Sequence, residues 1–173
     1  MKTVLLITLL TLCFTKDKEI YQYYNTIFKE LDFNVPDEII DGIGCIKGDC
    51  DNGQGRYVYM VPMDEGEFKD GKLHGKGIRT WSNGSISEGE WENGEMIFGS
   101  HFYGRGLFLG DVYVGEFDNQ EKNGIGTYKK YNGDIYHGEW IDDLPNGKGK
   151  EILSDGTVIE GNFINGDLVK EIY

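Results

Sequence analysis

Short runs of alternating apolar and polar residues follow one another through the chain beyond its N-terminal segment. In the segment 134–140, Tyr136 and Trp140 fall on one face of an extended strand, whereas His137 and Glu139 fall on the other. Such alternation is typical of β-strands that bury one face.

Pairs of turn-forming residues separate these strands. Asn132-Gly133 lies between the strands 126–131 and 134–140, and Asn-Gly favours a type I′ turn because both central residues need a positive φ. Equivalent pairs occur at Asn83-Gly84 and Asp155-Gly156. The sequence therefore predicts two-residue turns at these pairs and a β-hairpin around each of them.

A Gly-Glu-aromatic triplet returns at a nearly fixed interval along the same region. Its glycines are 23, 26, 23 and 23 residues apart, and a period of this size is typical of stacked repeats, each too small to bury its own apolar face. The copies are Gly66-Glu67-Phe68, Gly89-Glu90-Trp91, Gly115-Glu116-Phe117, Gly138-Glu139-Trp140 and the variant Gly161-Asn162-Phe163.

The repeat predicts an all-β fold, a single-layer β-solenoid of about five to six stacked antiparallel hairpins. Stacking should place the aromatic residues of the triplets in one buried row, and the glycines beside them indicate close approach of backbone and rings. The charged residues of the opposite face then need no special role. The predicted row is Phe68, Trp91, Phe117, Trp140 and Phe163.

Residues 17–31 carry a helical pattern, which Pro36 and the residues before it end. The apolar residues of this stripe are Ile20, Tyr24, Ile27, Phe28 and Leu31. We expect the helix to cap the open first unit of the repeat array, because terminal repeats need covering. A helix that binds a partner is the alternative.

The first residues predict an export signal. Lys2 supplies a positive charge, and the apolar run from Val4 to Phe14 is too short for a membrane-spanning helix, which needs about 20 residues. Leu10-Thr11-Leu12-Cys13 resembles a bacterial lipobox, which would place a lipid on Cys13. Ordinary cleavage after Thr15 is the alternative.

These features divide the chain into a signal peptide (1–15), a helix with its linker (16–41) and the repeat array (42–173). We expect an exported protein, either a bacterial envelope lipoprotein or a secreted or periplasmic protein. A lipid on Cys13 would tether the chain to a membrane, rather than the repeats themselves.

The chain is acidic, with 30 Asp and Glu against 17 Lys and Arg and a net charge of −13. Such a surface repels phosphate backbones, so nucleic-acid binding is not expected. It is equally unfavourable for docking the repeats onto anionic lipid headgroups.

Cysteines and histidines give little sign of reactive chemistry. Cys45 and Cys50 are an even pair in an oxidising compartment, and their spacing suits either a disulfide or two buried thiols. His74, His101 and His137 fall in different repeats, so no metal site is expected. Without a nucleophile motif or a phosphate loop at a helix, we expect no catalytic residue and no cofactor.

The triplets and their flanking glycines resemble the MORN repeat (membrane occupation and recognition nexus), whose unit reads roughly Tyr-x-Gly-x-Phe/Trp-x-x-Gly-x-x-x-Gly-x-Gly. Its opening matches residues 113–117 and 136–140, and its glycine pattern is complete from Gly66 to Gly77. The resemblance covers about residues 44–170. It implies a curved sheet, in some members with an aromatic groove, that serves mainly in protein–protein contact and scaffolding. Phospholipid binding has been proposed for some members.

Two units depart from this pattern. A shortened first copy has Cys50 in the aromatic position, and the unit from Gly89 to Gly115 is three residues longer than the others. We expect the extra residues to form a loop around 99–102 that exposes Phe102 or Tyr103, since insertions in solenoids often project from the binding face. A harmless bulge is the alternative.

The sequence therefore predicts an exported, non-enzymatic scaffold that binds a protein partner. The expected groove lining is Trp81, Tyr113, Tyr128 and Tyr136, although packing against the next repeat would also explain each ring. Association of the repeats with a membrane surface is the alternative function, and a hydrolase-like activity is a further one. The identity of the partner and the oligomeric state stay open.

Overall fold

The computed structural model describes residues 44–58, 62–104 and 106–171. Over these residues the chain forms one open sheet of twelve strands, each antiparallel to its neighbours in the sequence. This architecture confirms the predicted all-β array of hairpins, whereas the predicted helix 17–31 lies outside the described residues. The strands are β1 Gly44–Gly48, β2 Gln54–Val58, β3 Met63–Lys69, β4 Lys72–Thr80, β5 Ile86–Glu92, β6 Glu95–Phe102, β7 Val112–Asp118, β8 Glu121–Lys129, β9 Ile135–Ile141, β10 Leu144–Ile152, β11 Val158–Ile164 and β12 Asp167–Glu171.

From β3 onwards, two kinds of connection alternate along the sheet. One kind is a two-residue turn in which both residues have a positive φ, as a type I′ turn requires. Between β7 and β8, for example, Asn119 has φ 50° and Gln120 has φ 68°. Equivalent turns lie at 70–71, 93–94, 142–143 and 165–166.

The prediction of two-residue turns at the Asn-Gly and Asp-Gly pairs is wrong, because these pairs lie in the longer loops 81–85, 130–134 and 153–157. In the loop 130–134, the amide of Gly133 donates to the carbonyl of Lys130 at 2.9 Å. The side chain of Asn132 accepts from the amide of Asp134 at 3.0 Å, and Asn83 and Asp155 make the same bond two residues ahead. These pairs thus build side-chain-supported loops.

A row of glycines crosses the sheet at one level. Gly89 and Gly99 face each other, and a β-carbon on Gly89 would lie 2.7 Å from the Cα of Gly99 and 2.1 Å from the carbonyl oxygen of Phe98. Every strand from β1 to β11 contributes one glycine to this row: Gly48, Gly55, Gly66, Gly77, Gly89, Gly99, Gly115, Gly126, Gly138, Gly149 and Gly161. The row forms a flat floor on which neighbouring aromatic rings can lie.

The aromatic residues of the triplets pack on one face of the sheet, as predicted. Tyr113 lies across the glycines at this level, and its ring makes edge contacts with Phe117 and Trp140 at 5.0 and 5.4 Å between centroids. Tyr136 continues the row, at 5.1 Å from Trp140 and 5.0 Å from Phe163. Phe68, Trp91, Trp140 and Phe163 are buried, and Phe117 is partly buried. This face is the core of the described array.

The glutamates of three triplets have a structural role that the sequence analysis missed. The carboxylate of Glu116 accepts from the amide of Ile125 at 3.2 Å and lies against Gly124. Gly124 has φ +80° and lies where the ladder between β7 and β8 is bulged, so a side chain there would collide with the carboxylate. The pairs Glu67 with Gly75 and Glu139 with Gly147 repeat this contact.

Candidate interaction surface

The extra residues of the irregular unit lie in the loop 103–111, between β6 and β7, of which residue 105 is outside the described residues. The prediction of a loop around 99–102 is wrong, because these residues complete strand β6 and pair with both β5 and β7. Strand β6 has a smaller bulge than β4, β8 and β10, since it lacks the Gly-x-Gly that those strands share. The added length therefore appears where the other units have the loops 81–85, 130–134 and 153–157.

Hydrogen bonds order the base of this loop. The amide of Tyr103 donates to the carbonyl of Asp111 at 3.0 Å, and the amide of Gly110 donates back to Tyr103 at 2.9 Å. The amide of Gly104 donates to Ser85 Oγ at 3.0 Å, which fastens the loop to its neighbour. The Asp111 carboxylate accepts from the hydroxyl of Tyr128 and holds that side of the loop.

The tip of the loop is apolar and exposed. Leu107 is 98% exposed, Phe108 53% and Leu109 57%, and the neighbouring loop adds Tyr131 at 83%. Tyr131 packs on Gly110, so that the two loops present one surface. We call Leu107, Phe108, Leu109 and Tyr131 the apolar tip. The corresponding loops 81–85, 130–134 and 153–157 consist mainly of polar residues and glycine.

The six residues expected at an interaction surface occupy three environments. Tyr113 and Tyr136 are buried in the aromatic row, and burial raises the pKa of Tyr136 to about 12. Trp81, Tyr103 and Tyr128 lie near the loop end of the same face and are partly exposed. Phe102, also partly exposed, belongs to the opposite face, because it follows His101, which pairs with Tyr113.

A hydrogen-bonded chain of three side chains runs beside this surface. Trp81 Nε1 donates to Ser87 Oγ at 3.1 Å, and Ser87 Oγ lies 2.8 Å from Nδ1 of His101. Burial, together with the positive charge of Lys122, lowers the pKa of His101 to about 4 against the opposing effect of Asp143. His101 is therefore neutral at physiological pH, and one of its ring nitrogens carries a proton.

The Ser87–His101 pair has the spacing of a nucleophile and its base, but its surroundings favour a structural role. Ser87 is only 3% exposed, and its oxygen already accepts from Trp81. A nucleophile needs a substrate position about 3 Å from its oxygen, and a serine that is 3% exposed offers almost no access from solvent.

Lys122 is a buried cation in an aromatic cage. Its Nζ lies 5.4 Å from the ring centre of Trp140, 5.6 Å from Tyr128 and 5.9 Å from both Tyr103 and Tyr113. The ammonium pairs with the carboxylate of Asp143 at 2.8 Å and donates to the Tyr103 hydroxyl at 3.3 Å. The cage joins the base of the loop 103–111 to the core.

The sequence contains a signal for Lys122, although Lys122 is not among the residues expected at an interaction surface. Lys122 pairs with Phe117 across the hairpin, in the position where the other hairpins pair an aromatic triplet residue with an apolar one. Those apolar partners are Leu73, Met96, Pro145 and Leu168. A lysine in a core position indicates a specific environment, because lysines are rarely buried without partners.

A second cation lies on the same face nearer β1. Arg79 stacks over Trp91 and Trp81, at 4.7 and 5.5 Å from their ring centres. Its Nε and Nη2 donate to the two carboxylate oxygens of Asp64 at 2.7 and 2.8 Å. Asp64 is fully buried, whereas the Arg79 side chain is 14% exposed.

The remaining candidate residues are the cysteines and the groups that could bind a metal ion. Cys45 and Cys50 form a disulfide, with Cα atoms 5.8 Å apart. An open groove of about 410 Å³ runs beside Trp91, lined in part by Glu67 and His74. Within the described ranges, no three His, Cys, Asp or Glu side chains come together to hold a metal ion, and no helix there is long and apolar enough to cross a membrane. Cys13 lies outside these ranges.

Four segments of the chain match the family model of the MORN repeat: residues 65–86, 88–96, 113–135 and 136–158. The chain is also similar to the MORN repeat-containing protein 3 of Xenopus laevis, with 40% identity over 78 residues. That alignment covers 41% of this chain and 32% of the Xenopus protein, so the chain spans about a third of the length of this relative.

Proposed function

The chain contains MORN repeats, and on this basis we propose that it is a non-enzymatic scaffold that binds a protein partner through the apolar tip. The exposure of Leu107, Phe108 and Leu109 on a loop with an ordered base carries this proposal. Apolar side chains side by side at a projecting position mark an interaction site, because a solvent-exposed loop gains nothing from them.

The free energy of burying apolar side chains favours the apolar tip over the rest of the sheet as the site of contact with a partner. Full burial of a Leu or Phe side chain contributes about 1.5–3 kcal/mol, so three such residues can supply a large part of a moderate affinity. The bonds of Tyr103, Gly104 and Gly110 at the base reduce the ordering cost of binding. The other exposed aliphatic residues, such as Val158 and Val169, lie on strands without a projecting loop.

The charge of the chain favours a protein over an anionic membrane as the partner. The net charge of −13 opposes approach to a negatively charged bilayer. The apolar tip itself contains no charged side chain, so it suits an apolar pocket on a folded protein. Binding to a bilayer through the tip is the alternative, and vesicles separate the two.

Export remains part of the proposal. The Cys45–Cys50 disulfide supports an oxidising compartment, which agrees with a signal peptide over residues 1–15. Lipidation of Cys13 would then hold the scaffold at a membrane while the tip binds its partner. Mass spectrometry of the mature N-terminus tests this part: a diacylglyceryl-modified Cys13 supports the anchor, and an unmodified N-terminus after Thr15 removes it.

The double variant Leu107→Ser/Phe108→Ser tests the binding site. The variant and wild type are used as bait in an extract of the cells that carry the gene, and retained proteins are measured by quantitative mass spectrometry. We expect a partner that wild type retains to be lost from the variant. The matched control, Val158→Ser/Val169→Ser, removes exposed apolar groups elsewhere on the sheet and should retain it. A partner retained equally by both variants contradicts the proposal.

Wild type and both variants are also mixed with vesicles of neutral phosphatidylcholine and with vesicles containing an anionic lipid. No tip-dependent binding is expected. Vesicle binding that the tip variant loses would assign the tip to a bilayer instead of a protein.

A further inference from the structure

Lys122 and Arg79 both pair with a carboxylate on the core face of the sheet, and the two carboxylates differ in their exposure to solvent. Arg79 is bound through two nitrogens to Asp64, whose side chain is 0% exposed. Lys122 is bound to Asp143, whose side chain is 50% exposed. The carboxylate of the Lys122 pair therefore meets solvent, whereas the carboxylate of the Arg79 pair does not, so the Lys122 cage opens at Asp143.

The four rings that line the cage also differ in their exposure to solvent. Tyr113 and Trp140 form its floor and are buried in the aromatic row. Tyr103 and Tyr128 form its sides and are partly exposed. Once the Lys122 side chain has left past Asp143, the space would be lined by the four aromatic rings and one carboxylate.

The ammonium of Lys122, which occupies the cage, indicates which class of ligand the cage would bind. Aromatic faces attract cations, and rings together with a carboxylate recognise alkylammonium groups such as methylated lysine. Methylation weakens the hydration of the ammonium, so a methylated cation gains more from leaving water for the rings than the ammonium of Lys122 does. Asp143 accepts a hydrogen bond from the occupant, which a dimethylated nitrogen can still donate and a trimethylated one cannot.

We infer that the cage of Tyr103, Tyr113, Tyr128 and Trp140 is a binding site for a mono- or dimethylated lysine side chain, and that Lys122 occupies it when no ligand is bound. The inference deepens the proposed function by naming a group on the partner. Lys122 then acts as an internal competitor, because the apparent affinity equals the intrinsic affinity multiplied by the fraction of molecules in which the cage is empty.

Titration with the blocked amino acid Nε-dimethyl-lysine tests the site, with the amide and indole signals of the protein followed by NMR. We expect saturable binding to wild type and about 10-fold tighter binding to Lys122→Ala, in which the competitor is gone. Lys122→Met is the matched control, because Met96 fills the equivalent position in another hairpin. Its side chain should block the cage and abolish binding.

The relative affinities of three lysine derivatives provide a second readout. Dimethyl-lysine should bind more tightly than trimethyl-lysine, and unmodified lysine most weakly. Asp143→Asn should reduce the preference for the dimethylated form while leaving the rings in place. If Lys122→Ala does not fold, Asp143→Asn tests the site in its place, since the Asp143 side chain is 50% exposed.

The inference is overturned if wild type shows no saturable binding, if Lys122→Ala binds no better than Lys122→Met, or if unmodified lysine binds as tightly as the methylated forms. None of these readouts depends on Leu107 or Phe108. A failure here therefore leaves the tip proposal standing, and a failure of the tip experiment leaves the cage inference standing.

Discussion

The carboxylate of Asp143 binds Lys122 at two points. It accepts from the backbone amide of Lys122 at 2.9 Å and pairs with the ammonium of the same residue at 2.8 Å. Asp143 itself has φ 68°, in the turn position that glycine occupies at Gly71, Gly94 and Gly166. Asp143 thus has a strained backbone conformation, and its carboxylate neutralises a buried cation.

Glycine substitutions in the two equivalent turns should have opposite effects. Gln120 also has a positive φ, at 68°, and its side chain is exposed. Gln120→Gly relieves strain and should stabilise the fold by about 0.5–1 kcal/mol. Asp143→Gly relieves the same strain but leaves a buried ammonium without its ion-pair partner, and should destabilise by at least about 2 kcal/mol. Urea unfolding measures both, and a stabilising Asp143→Gly would contradict the assigned role of Asp143.

Alanine at the glycine row should be far more harmful than alanine at a loop glycine. A β-carbon at Gly99 would lie 2.3 Å from the carbonyl oxygen of Glu88 and 2.7 Å from the Cα of Gly89, so the strands must separate. Gly156 has φ +89° but no atom within 4 Å of such a carbon. We expect Gly156→Ala to cost about 1–2 kcal/mol from strain and Gly99→Ala to cost clearly more. Similar melting temperatures for the two variants would exclude close strand approach at this row.

The periodicity of the sequence was sufficient to predict the sheet and its core. Aromatic residues spaced by the repeat had to stack, and Trp91, Trp140 and Phe163 are buried on one face as expected. Turn positions were mispredicted because Asn132-Gly133 supports two loop geometries equally well. A local pair cannot reveal whether Asn takes a positive φ or instead caps the amide two residues ahead, as it does here.

The candidate surface was only partly predictable. The extra length of the irregular unit was visible, but its location was not, because it depends on the bulge in β6 being smaller than those in β4, β8 and β10. Leu107 to Leu109 form an apolar run within the insertion, and the run became informative only once the loop was placed. The cage depends on contacts between Tyr103, Lys122 and Asp143, which belong to different hairpins and share no local sequence pattern.

Acidification should destabilise the chain through His101. Its pKa is lowered from 6.5 to about 4 in the folded chain, so between these values the unfolded chain binds a proton that the folded chain does not. Stability should therefore rise with pH across this window, by at most about 3 kcal/mol, and level off above it. Burial also lowers the pKa of His137, which adds in the same direction.

The test of this pH dependence compares urea unfolding between pH 4 and 7 for wild type and His101→Gln. The variant should show a smaller loss of stability on acidification, because it lacks the titrating ring. Ser87→Ala keeps the ring but removes the hydroxyl beside Nδ1. Its loss of stability on acidification should lie between those of wild type and His101→Gln. Identical slopes for wild type and His101→Gln would show that His101 does not control the response.

Reduction of the Cys45–Cys50 disulfide should loosen the first hairpin. Closing a loop of this length restricts the unfolded chain by about 2 kcal/mol, and Cys50 also packs in the core with Phe68 and Trp91. We expect a lower melting temperature in the presence of a thiol reductant. Cys45→Ser/Cys50→Ala should melt at the lower temperature and be insensitive to the reductant. Wild type that melts identically with and without reductant would show that the bond adds nothing to stability.

The central claim is that the inserted loop, rather than the repeat sheet, contacts the partner. Site-specific photocrosslinking tests it most directly, with p-benzoylphenylalanine in place of Phe108 or, as a control, of Ile141, which is 48% exposed on strand β9. Both proteins are irradiated in the extract of the source cells. We predict a discrete protein adduct at position 108 that is absent at 141. The same adducts at both positions, or none at 108 while the partner is still retained, would contradict this account.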